Sequence, residues 1–401
     1  MKTRPSVGNN LSICRTTPLK PKEGLNGPPA TSVKCWSIWC LIILERQMKQ
    51  SHAFAIAVVI LCGVTAGSAQ NRHFGLPFLV TIGDKHGFMD ANCHMVIPAQ
   101  YGEALEFSEG LAAVKIGGKW GYTDDQGSLV IPPKFAGAWF FSDGLASVKL
   151  SERSPLWGFI DRKGDVVIQP QFGMPLLFSE GLVEGYGEKN NILNIPLGYM
   201  DKSGKYVVRL DEAGMEIVFL VEFSEGLARV SMRPKHSDGS VGPGKYGYID
   251  HNGKWVIPRS FVAADDFHEG LAAVTGKDGT WGYIDKTGQF VIAPRFEDAS
   301  EFSEGLAGVR IGGRWGWIDK SGEVVIPPTF EAEEVGTFRS GMATVVHNRK
   351  MGYINTKGEM VIPQTLDGGS EFVQGIALIE DHSGYKVMNN FGNVMCSLSA
   401  Q

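Results

Sequence analysis

The sequence predicts an all-β protein built from tandem three-stranded meanders, and three observations carry that prediction. The first is a phrase, Phe107-Ser108-Glu109-Gly110-Leu111-Ala112, whose phenylalanine returns at Phe141, Phe178, Phe223, Phe267, Phe302, Phe338 and Phe372. The steps between these eight positions are 34, 37, 45, 44, 35, 36 and 34 residues. The second is that the copies continue in one order, through a hairpin such as Lys119-Trp120-Gly121-Tyr122, an Asp-x-x-Gly turn and a Val-Ile-Pro-Pro run. The third is the density of turn signals, which leaves only short β-forming stretches between them. A fixed period in this range means stacked supersecondary units, each too small to bury its own apolar face.

The copy from Phe302 to Pro328 shows how each element arises. Leu306 to Ile311 has extended character and ends at Gly312-Gly313, a strong hairpin signal. Trp315-Gly316-Trp317-Ile318-Asp319 is the return strand. Asp319 to Gly322 then fits a type I turn, with Asp at its first position and Gly at its fourth. Glu323 to Ile326 forms a third strand, stopped by Pro327-Pro328, which cannot donate to a continuing ladder. The turn recurs at Asp124 to Gly127, Asp161 to Gly164, Asp201 to Gly204, Asp250 to Gly253, Asp285 to Gly288 and Asn355 to Gly358. Fixing the turn fixes the register, since a one-residue slip would carry the apolar face to solvent. The glycine of Phe-Ser-Glu-Gly supplies a positive φ in the bend before the first strand. The phenylalanine beside it reads as a core residue repeated once per layer.

Short three-stranded units favour an open β-superhelix, or solenoid, over residues 75–395, with 396–401 as a tail. The alternative is a closed, propeller-like toroid of eight or nine units, since propeller blades want four strands. Cys93 lies in the first copy and Cys396 in the last. A disulfide between them would bring the ends together and favour closure.

The first 69 residues belong to a different class. A charged start at Met48-Lys49, an apolar run from Ala53 to Val64 and small residues Gly67 and Ala69 form a secretory signal peptide over 48–69. The apolar run is shorter than the roughly 20 residues a membrane span needs. Residues 1–47 carry Pro5, Pro18, Pro21, Pro28 and Pro29 and read as a mis-assigned or disordered extension ahead of the true start at Met48. The expected location is therefore the periplasm or the exterior, with no membrane span after cleavage. The chain holds 38 basic and 43 acidic residues, of which 8 and 2 lie in residues 1–69; the remaining 30 and 41 give the body a net charge of −11. An acidic exported body argues against nucleic acid and against polyanionic ligands.

The segments Lys119-Trp120-Gly121-Tyr122 and Arg314-Trp315-Gly316-Trp317-Ile318-Asp319, set between Phe-Ser-Glu-Gly-Leu-Ala and Val-Ile-Pro-Pro, resemble the bacterial WG (or KWG) tandem repeats. The resemblance implies β-rich repeat proteins, often exported, with no general enzymatic activity and no shared ligand. The tryptophan position is His86, Leu197, Tyr246, Met351 and Tyr385 in other copies, while Trp157 and Trp281 keep it. Size rather than indole chemistry is retained, which favours packing over a row of tryptophans stacking on a sugar.

No nucleophile elbow, phosphate loop or His-Glu-x-x-His is present, so no catalytic residue, metal or cofactor is expected. The turn aspartates stand singly, unlike the converging oxygens of a calcium loop. Asp265-Asp266 and Glu333-Glu334 read as solvated connector charges. Glu109, Glu180, Glu225, Glu269 and Glu304 form a row that could meet Lys119, Lys245 and Arg314. The irregularity lies in hairpin length: from the repeat phenylalanine to the tryptophan position is 13 residues in four copies, but 16, 19 and 23 in those starting at Phe141, Phe178 and Phe223. The added segments, Ser151 to Leu156, Glu188 to Pro196 and Arg233 to Gly244, should project from one rim, where repeat arrays commonly bind. Candidate binding residues are Arg153, Lys189, Asn190, Ile192, Leu193, Ile195, Lys235 and His236. Neutral length variation is the competing reading. The expected function is a non-catalytic scaffold for an unknown protein or cell-surface ligand; the alternatives are a secreted hydrolase and a structural envelope component.

Overall fold

The computed structural model describes residues 77–189, 192–236, 240 and 242–398; the proposed leader at 48–69 and the stretch 1–47 lie outside them. The described chain forms nine small antiparallel sheets in sequence order. They span Phe78–Tyr101, Glu103–Phe135, Gly137–Phe172, Leu182–Arg209, Met215–Phe261, Ala272–Phe296, Asp298–Phe330, Glu334–Leu366 and Gly368–Leu398, and are numbered here as blades 1 to 9. Blade 9 therefore runs through Cys396, past the expected boundary at 395. Six sheets have four strands and three have three. In blade 7 the strands are a (Asp298–Ala299), b (Leu306–Ile311), c (Arg314–Asp319) and d (Val324–Phe330), each paired with the next. The a strand is the element the sequence reading missed. It is two residues long in several blades, too short to show any period.

A disulfide joins Cys93 of blade 1 to Cys396 of blade 9, so the array closes as a nine-bladed β-propeller. The open superhelix expected above is thereby corrected in favour of its alternative. Its physical reason is that a repeat period specifies which units touch, while the small rotation between neighbours decides whether a stack stays open or closes.

The b–c–d meander is as expected. The Asp-x-x-Gly turn is type I-like: Gly322 donates to the Asp319 carbonyl at 2.9 Å, and one Asp319 carboxylate oxygen accepts from the amides of Ser321 and Glu323 at 2.9 and 3.0 Å. The same oxygen bonds recur at Asp124, Asp161, Asp201, Asp250, Asp285 and Asn355. The glycine after the tryptophan position has its own cause. At Gly316 a Cβ would lie 2.6 Å from the Ile326 carbonyl oxygen and 2.7 Å from the Pro328 nitrogen. Strand d bulges there, passing from Phe330 to Ile326 while strand c passes from Trp315 to Trp317.

Each Phe-Ser-Glu-Gly-Leu step is a tight two-residue turn in which Ser303 and Leu306 exchange backbone hydrogen bonds of 2.9 and 3.1 Å. Both central residues are left-handed, Glu304 at φ 53° and Gly305 at φ 79°, as a type I′ hairpin turn requires. The sequence reading assigned positive φ to the glycine alone. Glutamate tolerates it because its carboxylate crosses to the next blade. Glu304 accepts from the Gly341 amide at 2.8 Å, as Glu109 does from Gly144 at 2.9 Å and Glu225 from Gly270 at 2.9 Å.

The phenylalanine is the key of each junction between blades. Phe141 packs on Tyr122 of the preceding blade at 4.8 Å between ring centroids, Phe223 on Tyr199 at 4.9 Å, Phe302 on Tyr283 at 4.8 Å and Phe372 on Tyr353 at 5.1 Å. Phe107, Phe178, Phe267 and Phe338 pair likewise with Phe88, Phe159, Tyr248 and Trp317. Eight phenylalanines thus serve eight junctions. Serine hydroxyls add a second link: Ser108, Ser179, Ser224 and Ser303 donate to the carbonyls of Phe141, Phe223, Phe267 and Phe338 at 2.6–2.7 Å.

Candidate functional site

The three lengthened hairpins are b–c connections of consecutive blades 3, 4 and 5, so they rise from the same rim. Arg153 is exposed in the connection between Leu145–Lys149 and Trp157–Ile160, its amide donating to Ser151 Oγ at 3.2 Å. Glu188 to Pro196, expected as a loop, instead extends the hairpin: Lys189 pairs with Ile192, Glu188 with Leu193 and Gly187 with Ile195. Only backbone is described over 187–189 and 192–197, and Asn190 lies outside the described residues. Lys235 and His236 are exposed beyond the strand Ala228–Pro234 and held through their amides by Gly214 and Ser240, both at 2.8 Å.

The tryptophan positions are packed, not displayed. Trp120 and Trp315 are buried, and several of these positions pair across the c–d ladder with a second large residue, as in Trp157 with Phe172 and Met351 with Leu366. The acidic row meets other partners than expected. Glu225 and Glu269 reach Lys286 and Lys320 in the Asp-Lys turns of the next blade at 3.1 and 3.0 Å, while Lys119 pairs with Glu152 and Arg314 with Glu331. The left-handed turn aims each glutamate across the junction rather than along its own hairpin. Such half-exposed pairs contribute only about 0–1 kcal/mol each.

A polar cluster where blades 4, 5 and 6 meet was not foreseen. The third residue after the turn glycine pairs with the central c-strand residue, and it is Ala113, Ala273 or Gly308 in ordinary blades. In blade 3 it is Ser147, whose hydroxyl donates to the Leu176 carbonyl of the next blade at 2.7 Å. In blade 4 it is Glu184, 6% exposed, and in blade 5 it is Arg229. Arg229 Nε lies 3.0 Å from Asp266, its guanidinium also meets Asp265 at 3.9 Å, and it donates to the Ala264 carbonyl. Asp265-Asp266, read from sequence as solvated connector charges, is therefore the counter-ion of a largely buried arginine. The signal was available: Glu184 and Arg229 replace alanine in a column otherwise small or neutral.

The electrostatics follow from burial. It pushes the Glu184 carboxyl up to about 7, helped by the Asp266 charge, and Glu222 up to about 8, helped by Glu184 and Asp266. Burial opposes the Arg229 charge, but Asp266 and Asp265 more than offset it and hold its pKa above the usual arginine value. Because both glutamates are raised above their unfolded value of 4.5, their contribution to stability is full below that value. It is lost as pH rises through about 8. The variant Glu222→Gln, an isostere of the protonated acid, should match the native protein at pH 5. At pH 9 it should be more stable by about 5 kcal/mol, read by urea unfolding at the two pH values. An equal response in both proteins would show that Glu222 is not held protonated.

Nine sheets joined through one repeated junction and closed on themselves define a tandem-repeat β-propeller. The chain belongs to the family of the WG containing repeat, which matches residues 87–120, 120–152, 157–183, 246–281, 281–315, 315–350 and 351–384, more than half of the chain. The match lapses over 184–245, the segment that holds Glu184, Glu222, Arg229 and two of the three long hairpins. Comparison with curated proteins returns no match. Among solved structures, the WD40 beta propeller domain of Doa1 is 10% identical with a TM-score of 0.28, over 81% of this chain and 94% of that one. HIRA(644-1017) is 7% identical with a TM-score of 0.25, over 38% of this chain and 54% of that one. Likenesses this loose carry no argument about activity.

Proposed function

We propose that the protein is an exported, non-catalytic propeller that binds a protein or cell-surface partner through the b–c rim of blades 3 to 5. The observation that carries this reading is the grouping of all three lengthened hairpins on consecutive blades and one rim, since insertions on one face of a repeat array commonly form the binding side. The interruption of the family pattern over 184–245 supports it, because ordinary framework blades have no need of that departure. The recurrent polar residues support the non-catalytic part: turn aspartates, junction serines and junction glutamates are each committed to backbone partners. The acidic body favours a partner that is not a polyanion.

Replacing 188–196 by a two-residue turn tests the rim. The shortened protein should keep the native melting temperature and lose the partners captured by cross-linking on intact cells. Unchanged capture would overturn the rim reading and favour a structural envelope role. A mature N-terminus at Gln70, by intact mass, tests the export reading separately.

A further inference from the structure

We propose that the Cys93–Cys396 disulfide is a redox-controlled clasp, and that its reduction opens the ring at the junction between blades 9 and 1. The proposal does not depend on what the rim binds.

Eight junctions are built to one plan, and the turn glycine is part of it. At each, the fourth residue of the Asp-x-x-Gly turn sits against the buried d-strand aliphatic residue of the preceding blade. A Cβ built on Gly127 would meet Ile97 at 3.5 Å, on Gly288 would meet Ile257 at 3.0 Å and on Gly358 would meet Ile326 at 2.6 Å. In blade 1 that fourth position is Cys93. Its amide donates to the Asp90 carbonyl at 3.0 Å, and it takes φ 66° where the other blades have glycine. In blade 9 the d-strand position is Cys396, which pairs with Val387 as Ile131 pairs with Tyr122. The two residues that touch across every other junction are here both cysteine, with Cα atoms 6.3 Å apart. A left-handed backbone disfavours a residue with a side chain, so a cysteine there needs a reason that the bond supplies.

Two polar links found at several other junctions are also absent here. Val387 replaces the tyrosine whose hydroxyl, at Tyr122, Tyr199, Tyr248, Tyr283 and Tyr353, donates to a carbonyl of the next blade at 2.6–2.9 Å. Val373 replaces the serine that donates to the next phenylalanine carbonyl. Each of the other eight junctions has its own buried apolar cluster. Among the described residues none of these clusters joins blade 9 to blade 1; Val80, Met89 and Val387 are buried but belong to none of them. No strand is exchanged between the two blades either, since each sheet is built from consecutive strands. Among the described residues, the covalent bond is thus the main link between blades 9 and 1. Regions held by few contacts open locally at low cost, and both cysteines are only partly buried, within reach of a small thiol.

The step balances with a dithiol: two electrons and two protons break the S–S bond and form two thiols, while the dithiol becomes a cyclic disulfide. Hydrogen exchange of the full chain, with and without dithiothreitol, tests the clasp. On reduction, peptides from blades 1 and 9 should exchange at least about tenfold faster, while blades 4 to 6 stay protected. The double variant Cys93→Gly/Cys396→Ile restores the ordinary pair and should show protection that does not respond to the dithiol. Unchanged protection of blades 1 and 9, with both thiols shown free by alkylation, would overturn the proposal. So would an equal rise in all nine blades, which would make the bond a global staple rather than a clasp.

Discussion

Phe302→Ala should lower the stability of the protein by about 3–5 kcal/mol, read as a shift in the urea midpoint at constant slope. Phe302 is 1% exposed and lies edge-on to Tyr283 of the preceding blade. It packs in a cluster that also holds Leu271, Ile292, Phe296 and Val309, drawn from both sides of one junction. Removing the ring takes away apolar area and leaves a cavity between two sheets that cannot collapse independently, because each is also fixed to its other neighbour. A ring of this kind loses more than one contact when a junction fails. A change below about 1 kcal/mol would mean that the phenylalanine is not the junction key assigned here.

Arg229→Ala should cost about 3 kcal/mol, the lower end of what breaking a buried ion pair costs, since Asp266 remains 26% exposed. The loss has a particular cause. Without the guanidinium, Asp265 and Asp266 lose the cation that offsets their charge beside Glu184 and Glu222. The carboxylates must then take up protons or admit water. The destabilisation should therefore shrink at pH 5 and grow at pH 8, and unfolding curves at the two values check it. Arg229→Lys should recover only part of the loss, since one ammonium cannot match the contacts that Arg229 makes to Asp266 and to the Ala264 carbonyl. A loss independent of pH would point to the guanidinium's contacts with the Phe219 and Tyr246 rings instead.

Much of the framework was legible because its causes are local. A turn that needs Asp at one end and Gly at the other announces itself in four residues, and a bulge that admits no Cβ demands a glycine wherever it recurs. The phenylalanine was legible as core for the same reason. Its role as a bridge between sheets was not, because a period shows that units touch without showing which faces meet. The a strand escaped notice at two residues, too short for alternation. The acidic connector Asp265-Asp266 was read as solvated because its partner, Arg229, lies 36 and 37 residues earlier and looks like any other strand residue. Aligning the copies would have exposed it, together with Glu184, as a charge in a column of otherwise uncharged residues. The same alignment places Cys93 under the turn glycines and Cys396 under the isoleucines.

By itself the sequence determined the unit: its strands b to d, its turns, its register and the place where three copies depart from the rule. Those follow from backbone geometry and side-chain volume within a few residues. The tertiary structure alone decided that the units form a closed ring, that each phenylalanine and glutamate serves the neighbouring blade, and that five ionisable groups gather where blades 4 to 6 meet. Such features depend on the small rotation from one blade to the next, and no property of a single repeat specifies that angle.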